Sequence, residues 1–232
     1  MLFDKDGTLC RSDGYLCALA LARAQFCVEL CGDPQLQQPL LQAYGLRHQQ
    51  LDPAGCTAVA SRDDNLISTA TVLTAAGHSW SQSRQWAEQA LRLADAQLGE
   101  RKAQLTPPLA GLETALETLQ QRGVVLAVIS SDRGPSIEAF LEAHGLRHWF
   151  KAVHGCERRP RKPDPAAALT LCQELGVEPQ RCGLIGDSAD DLAMAAGAQL
   201  GWSLAFTGGW SRPLPLQGSH GAIACWSELP EL

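Results

Sequence analysis

Two aspartates near the amino terminus, Asp4 and Asp6, have the residue type and spacing that can do chemistry together. They follow the apolar residues Met1–Phe3, which predict a short strand, and precede Gly7, which permits a tight turn. Two carboxylates that leave a strand in this way can approach one centre, as a hard cation or a nucleophile and acid pair requires. Asp-x-Asp-Gly is also common turn chemistry, so this segment alone does not distinguish a site from a turn.

Two further polar segments have both a functional and a structural interpretation. Ser130-Ser-Asp132 follows the apolar run Val124–Ile129. Hydroxyls at such a strand-to-helix turn can bind phosphate, although an ordinary helix cap is the simpler interpretation. Lys162 lies in the basic run Arg158–Pro165, for which a solvated loop is the default interpretation. The prolines of this run would nevertheless hold the Lys162 ammonium in a defined place beside an anion.

The last polar segment is acidic, with three aspartates inside Asp187–Asp191. It follows the apolar run Cys182–Gly186 and precedes a predicted helix, so capping explains one or two of its carboxylates. Three acids exceed what a cap needs. Their repulsion, among themselves and with Asp4 and Asp6, would be costly unless a divalent cation neutralises the cluster.

Strands and helices alternate along the second half of the chain, and this pattern places the polar segments together. Continuous apolar runs separated by helices are typical of a parallel sheet covered on both faces. The runs are Val124–Ile129, Phe150–Val153, Cys182–Gly186, Gly201–Phe206 and Ala222–Cys225, and the predicted helices are Gly111–Arg122, Pro135–His144, Pro165–Leu175 and Asp190–Ala196. In such sheets ligands bind at the carboxyl ends of the strands, where the polar segments begin.

Residues 13–104 have a different pattern, which predicts helices and no strand. One predicted helix begins after Ser61-Arg-Asp-Asp64, runs to Gly77 and has a buried stripe of Leu66, Ile67, Ala70 and Leu73. We therefore expect two parts: an α/β core formed by residues 1–12 and 105–232, and an all-helical insertion formed by residues 13–104.

The four polar segments, in this order, resemble the motifs of the haloacid dehalogenase superfamily of phosphatases. The matching segments are Asp4-Lys-Asp-Gly-Thr8, Ser130, Lys162-Pro163 and Gly186-Asp-Ser-Ala-Asp-Asp191. The resemblance implies an α/β fold with a doubly wound, mostly parallel, Rossmann-like sheet. It also implies that the all-α insertion is a cap placed as in phosphoglycolate-phosphatase-like members.

The resemblance implies roles for the acids of these motifs. Asp4 would attack phosphorus and form an aspartyl-phosphate, while Asp6 would protonate the leaving alcohol and later deprotonate water. Mg²⁺ would be held by the Asp4 carboxylate, the Asp6 backbone carbonyl and Asp187. Asp191 would orient Lys162 or a water on the metal.

The resemblance also implies a set of substrate ligands, for which this sequence departs from the commonest pattern. The expected substrate ligands are Thr8, Ser130, Ser131 and Lys162. Ser130 stands where threonine is commoner and Ser131 where asparagine is frequent, although the hydroxyl chemistry survives. Arg11-Ser12 replaces the usual Asp-Ser after the first motif, which leaves the substrate preference open.

Three functions are compatible with these motifs. The first is a Mg²⁺-dependent phosphatase for a small phosphorylated metabolite, with phosphoglycolate as the first candidate. The second is a phosphohexomutase of the same superfamily, and the third is a catalytically silent binding protein on this scaffold. A dehalogenase is disfavoured because Asp6 is retained, and the silent scaffold is disfavoured because every motif acid is present.

Composition excludes several other classes. The 232 residues are 45% hydrophobic and 19% charged with a net charge of −6, which is typical of a globular protein without a nucleic-acid or membrane-binding surface. Apolar stretches are shorter than the roughly 18 residues of a membrane span, and a secretory signal is not predicted. The nine scattered cysteines favour reduced thiols in the cytoplasm. We also expect a monomer or a homodimer.

The short first strand suggests that further residues precede Met1 in the natural protein.

Overall fold

The computed structural model describes residues 1–212 and 216–229, and the chain divides into two compact units. The first unit comprises Met1–Ser12 and Thr106–Leu232, and the second comprises Asp13–Leu105. The strands are β1 (Leu2–Phe3), β2 (Leu46–Arg47), β3 (Gln50–Leu51), β4 (Leu126–Ile129), β5 (Phe150–His154), β6 (Gly183–Gly186), β7 (Trp202–Phe206) and β8 (Gly221–Ile223). The helices are α1 (Asp13–Cys31), α2 (Gln37–Ala43), α3 (Cys56–Val59), α4 (Arg62–Ala75), α5 (Trp80–Leu98), α6 (Lys102–Leu105), α7 (Leu112–Gln121), α8 (Gly134–Ala143), α9 (Pro165–Leu175) and α10 (Ala189–Gly197).

The first unit contains a sheet with the strand order β5-β4-β1-β6-β7-β8, in which each neighbouring pair is parallel. Although β1 has two residues, it is central, because Leu2 pairs with Ala127 on one side and with Leu184 on the other. The Asp4 amide continues this ladder by donating to the Ile185 carbonyl at 3.0 Å. The predicted doubly wound, parallel sheet is confirmed.

Helices cover both faces of this sheet, which explains why its strands are continuously apolar. Alternate residues of a strand point to opposite faces. Phe3 therefore belongs to a buried cluster with residues of α7 and α8, whereas Leu2 belongs to a separate cluster with residues of α9 and α10. Both side chains are fully buried, and each contributes about 1.5–3 kcal/mol of hydrophobic stabilisation.

The second unit is built mainly from helices, and α1, α4 and α5 make its most extensive contacts. It differs from the sequence prediction in two details. The antiparallel pair of β2 and β3 was not predicted, since two residues per strand are too few to produce a periodic pattern. The expectation that Ile67 is buried is wrong: its side chain is 43% exposed, while the α4 stripe buries Asn65 and Thr69 beside Leu66.

Among the described residues one helix, α1, is long enough and apolar enough to cross a membrane, with a mean hydropathy of 1.3. The core helix of a globular unit passes the same test. One face of α1 is buried inside the second unit and includes Arg23, whose Nη1 donates to Asn65 Oδ1 at 3.2 Å.

Candidate active site

The parallel sheet brings the polar segments of the first unit to one edge. Asp4 directly follows β1, Ser130 follows β4 and Asp187 follows β6. Because β4, β1 and β6 are adjacent and parallel, these three residues emerge side by side at the carboxyl ends of the strands. Lys162 reaches this edge from the segment that precedes α9.

Three buried carboxylates, those of Asp4, Asp187 and Asp191, form the centre of the site. Each offers an oxygen that lies within 4.8 Å of an oxygen of the other two, and the residues are only 4%, 3% and 0% exposed. Burial and the neighbouring Asp191 raise the pKa of Asp4 to about 6, against the opposing effect of Lys162. Burial, followed by the charges of Asp4 and Asp191, raises the pKa of Asp187 well above its usual range.

Lys162 places one ammonium between two of these acids. Its Nζ lies 2.7 Å from Asp4 Oδ1 and 2.6 Å from Asp191 Oδ1. Burial alone would lower the pKa of Lys162, but the charges of Asp191 and Asp4 outweigh burial and raise it, so the group stays cationic. The basic residues of the run Arg158–Pro165 thus have different surroundings. Lys162 is buried in the site, whereas Arg158 is partly exposed and pairs with Glu174 at 2.7 Å.

The start of α10 fixes the third acid. Ser188 is the N-cap of this helix, and its hydroxyl and amide donate to Asp191 Oδ2 at 2.5 and 3.1 Å. Asp191 thus uses Oδ2 for the capping box and Oδ1 for Lys162. The capping interpretation and the functional interpretation of this segment are compatible, because each involves a different oxygen of Asp191.

Two donors orient Asp187. Thr8 Oγ1 donates to Asp187 Oδ1 at 3.1 Å, and Trp210 Nε1 donates to Asp187 Oδ2 at 2.5 Å. The expectation that Thr8 binds substrate does not match this geometry, because its side chain is fully buried and its hydroxyl faces Asp187. Gly7 makes the approach of Trp210 possible: its φ is +83°, and a Cβ there would overlap the indole ring.

Sequence reasoning missed Trp210. The residue follows β7 in the segment Gly208-Gly209-Trp210, at the same carboxyl edge as the other polar segments. That position was the available signal, because every strand end at this edge of a parallel sheet is a candidate contributor to the site.

Asp6 lies in a different set of contacts. Its Oδ1 accepts from Lys5 Nζ at 2.6 Å, from Cys10 Sγ at 3.6 Å and from Ser12 Oγ. The fully buried Lys5 ammonium also lies 3.4 Å from Asp132 Oδ2. Burial would lower the pKa of Lys5, but Asp6 and its neighbours raise it well above its usual range, so Lys5 is a cation. Lys5 was not among the expected site residues, although a lysine between the two aspartates of the first motif was a visible signal.

The two serines after β4 differ in their surroundings. Ser130 is buried, its amide donates to the His154 carbonyl at 3.0 Å, and its Oγ accepts from the Asp132 amide at 3.2 Å. A hydroxyl that accepts in this way still has its own proton to donate to an anion. Ser131 is partly exposed.

The cluster fits a hard divalent cation. Asp4 and Asp187 supply carboxylate oxygen donors, and Asp191 adds a third negative charge beside them. The single ammonium of Lys162 balances these three charges incompletely. Carboxylate oxygens are the ligands that Mg²⁺ prefers, and a bound dication would offset both the burial and the repulsion that raise the pKa of Asp4 and Asp187.

Comparison with curated proteins finds phosphoglycolate phosphatases. The enzyme of Haemophilus influenzae is 31% identical over 125 residues, which cover 53% of this chain and 54% of that protein. The enzyme of Pseudomonas putida is 35% identical over 116 residues, which cover 49% of this chain and 42% of that protein. The chain thus spans about half the length of the curated relatives it matches.

Solved structures match over nearly the whole chain. A predicted phosphoglycolate phosphatase from Haemophilus somnus has a TM-score of 0.71 at 21% identity, covering 97% of this chain and 93% of that chain. A HAD-superfamily hydrolase from Geobacter sulfurreducens, of subfamily IA, has a TM-score of 0.63 at 22% identity, covering 98% and 92%. At these identities the likeness concerns the fold.

The family model of the haloacid dehalogenase-like hydrolases matches residues 1–199. The matched range includes all four polar segments at the carboxyl edge of the sheet, from Asp4 to Asp191. The chain therefore belongs to the haloacid dehalogenase-like hydrolase family.

Proposed function

We propose that this protein is a Mg²⁺-dependent phosphatase that hydrolyses a small phosphorylated metabolite through an aspartyl-phosphate, with 2-phosphoglycolate as the first candidate. The observation that carries the proposal is the buried Asp4–Asp187–Asp191 cluster with the Lys162 ammonium 2.7 Å from Asp4. The curated relatives named phosphoglycolate phosphatase support the choice of the first substrate.

In the proposed first step, an oxygen of Asp4 attacks the phosphorus and the bond from phosphorus to the leaving oxygen breaks. The pKa of about 6 keeps most of the Asp4 carboxylate ionised near neutral pH, so that it can act as a nucleophile. Asp6 gives its proton to the leaving alcohol. The product of this step is an aspartyl-phosphate on Asp4 and a free alcohol.

In the second step, Asp6 accepts a proton from the water that attacks the phosphorus of the aspartyl-phosphate. This attack releases inorganic phosphate and regenerates the Asp4 carboxylate. Lys162, Ser130 and Ser131 bind the non-bridging oxygens, on which the charge of a loose transition state is spread.

The Asp4 and Asp187 carboxylates and the Asp6 backbone carbonyl would hold Mg²⁺. The ion would supply positive charge against the repulsion between the anionic nucleophile and the phosphate dianion. Thr8 and Trp210 would keep Asp187 in place, and Asp191 would keep Lys162 in place.

We assign substrate selection to the inserted unit Asp13–Leu105, as the resemblance to capped members implies. The cytoplasm is the proposed compartment, which the free thiols of all nine cysteines support. A small phosphorylated metabolite is the proposed partner of the site.

The first test measures phosphate release from a panel of phosphorylated metabolites in the presence of Mg²⁺. The wild-type protein should hydrolyse 2-phosphoglycolate or a related small monoester, and Asp4→Asn should reduce kcat by at least about a thousandfold. The matched control is Asp63→Asn on the exposed start of α4, which should leave kcat unchanged. A tenth of the rate remaining in Asp4→Asn would exclude Asp4 as the nucleophile. Isomerisation of a hexose 1-phosphate without phosphate release would favour a mutase.

A second test removes the metal. Incubation with EDTA should abolish phosphate release, and added Mg²⁺ should restore it, because the buried acids otherwise repel the substrate. The measurement is the initial rate against free Mg²⁺ concentration in an EDTA-buffered series. Activity unaffected by chelation would contradict the assignment of the acidic cluster as a metal site.

A further inference from the structure

Lys5 lies between the two aspartates of the first motif, and its side chain is fully buried. Its Nζ is 2.6 Å from Asp6 Oδ1, 3.4 Å from Asp132 Oδ2 and 5.4 Å from the centre of the Phe140 ring. One buried ammonium therefore joins two carboxylates that belong to the loops after β1 and β4.

The stability of the fold does not explain a charge at this position. Transfer of an ammonium from water into a protein interior is costly, and an apolar side chain of similar length would pack against Phe140 without that cost. Asp6 and Asp132 retain partial exposure, 17% and 14% of their side chains, so water can solvate them without Lys5. The gain from the charge must then lie in what it does to its partners.

The contacts of Lys5 restrict the orientation of Asp6. Three donors converge on Asp6 Oδ1, namely Lys5 Nζ, Ser12 Oγ and Cys10 Sγ. Lys5 is the only cation among these three, and charge-assisted hydrogen bonds are about twice as strong as neutral ones. The same ammonium contacts Asp132, whose amide donates to Ser130 Oγ at 3.2 Å. Lys5 thereby links the carboxylate of Asp6 to the loop that carries a proposed phosphate ligand.

We infer that Lys5 is a positioning residue, whose ammonium holds the Asp6 carboxyl group in the orientation in which its protonated form transfers a proton to the leaving alcohol. The inference rests on the proposed function, in which Asp6 is the acid and base. Lys5 itself contacts Asp6 and does not touch the reacting atoms. Its contribution appears only in the steps in which Asp6 gives or accepts a proton.

A residue that acts through proton transfer by Asp6 should affect substrates differently, according to how much their leaving groups need a proton. An alkyl phosphate such as 2-phosphoglycolate expels a poor leaving group that needs a proton, whereas p-nitrophenyl phosphate expels a good one that needs none. The ratio kcat/KM covers the steps up to the release of the alcohol, so it isolates the step in which Asp6 acts as an acid. A general loss of structure would lower kcat/KM for both substrates alike.

The experiment compares the wild type with Lys5→Met on these two substrates at saturating Mg²⁺. The alkyl substrate is 2-phosphoglycolate, or the alkyl monoester of the panel that the wild type hydrolyses fastest. Lys5→Met should lower kcat/KM for the alkyl phosphate by at least about 30-fold and for p-nitrophenyl phosphate by at most about threefold. The matched control is Lys151→Met, which removes an exposed lysine on β5 and should change neither value.

Equal losses on the two substrates would overturn the inference. Circular dichroism and thermal unfolding check that Lys5→Met is folded. If it is not, Lys5→Gln, which is neutral but polar, is measured in the same way and must show the same selective loss. A wild-type protein inactive on both substrates would overturn the proposed function and the inference together. An active wild type with non-selective variants would overturn the inference alone.

Discussion

At the scale of single residues, the acids of this site each have more than one partner. Asp187 accepts from Thr8 at one oxygen and from Trp210 at the other, while Asp191 divides its oxygens between Ser188 and Lys162. Carboxylates held at both oxygens have few orientations open to them. This pre-organisation keeps the cluster together despite its repulsion.

The contact of Trp210 with Asp187 leads to a prediction about metal affinity. Trp210→Phe keeps an aromatic ring but removes the indole donor, so Asp187 should hold Mg²⁺ less well. We expect the Mg²⁺ concentration at half-maximal activity to rise about 10-fold, with kcat at saturating Mg²⁺ changed by less than about threefold. Initial rates over a Mg²⁺ titration provide the measurement.

The matched control for this variant is Trp80→Phe, since Trp80 is 46% exposed at the start of α5. It should leave the Mg²⁺ titration unchanged. An unaltered half-saturating concentration in Trp210→Phe would mean that the indole packs beside Asp187 without tuning it as a ligand.

At the scale of elements, a strand of two residues is sufficient when both of its edges are paired. β1 lies between β4 and β6, and the backbone on each side of it adds further bonds, since Met1 N donates to the Val125 carbonyl at 2.6 Å and Asp4 N to the Ile185 carbonyl at 3.0 Å. This pairing directs Asp4 to the same edge as the residues after β4 and β6.

The end of β5 carries a histidine that should couple stability to pH. His154 is buried, its Nε2 donates to the Pro160 carbonyl at 2.8 Å, and its Nδ1 is buried without a hydrogen-bond partner among the described residues. Burial lowers the pKa of His154 below 6.5; Arg158 adds to this effect, whereas the Pro160 carbonyl, Glu174 and Glu157 oppose it.

A lowered pKa in the folded state means that the unfolded chain binds the proton more readily. The contribution of neutral His154 to stability is therefore fully present above the unfolded pKa of 6.5 and is lost as the pH falls through the lower folded pKa. Urea unfolding of the wild type and of His154→Gln at about pH 7.5 and about pH 5 measures this effect. The wild type should lose more stability on acidification than His154→Gln, and equal losses would contradict the prediction.

At the scale of the whole molecule, the second unit is inserted where two segments of the first unit are already joined. Arg11 N donates to the Pro107 carbonyl and Leu109 N to the Leu9 carbonyl, both at 3.0 Å. The two ends of the insertion are thus held close together by bonds within the first unit. A short linker can span such a gap at little entropic cost.

We therefore expect the first unit to fold without the insertion. Replacement of Asp13–Leu105 by a linker of about four Gly and Ser residues should give a protein with a cooperative thermal transition. It should hydrolyse p-nitrophenyl phosphate but lose its preference among small metabolites. Calorimetry and the substrate panel measure both properties. A shortened chain without a cooperative transition would show that the first unit depends on the insertion.

Two of the predictions that the structure confirmed depended on local pattern. The alternation of apolar runs and helices predicted the parallel sheet, and α9 begins and ends at the residues expected, Pro165 and Leu175. Ile67 is the counterexample. Periodicity predicts which face of α4 is apolar, but it does not predict how much of that face the neighbouring helices cover.

The amino-acid sequence by itself determined the sheet and the edge at which its polar segments emerge, because strand periodicity and the parallel connection are properties of neighbouring residues. Only the tertiary structure decided which atoms meet there: Lys162 with Asp4 across 158 positions, Thr8 with Asp187 across 179, and Lys5 with Asp132. Side-chain contacts between distant segments depend on strand register, loop path and packing. The local spacing of residues along the sequence does not determine any of these.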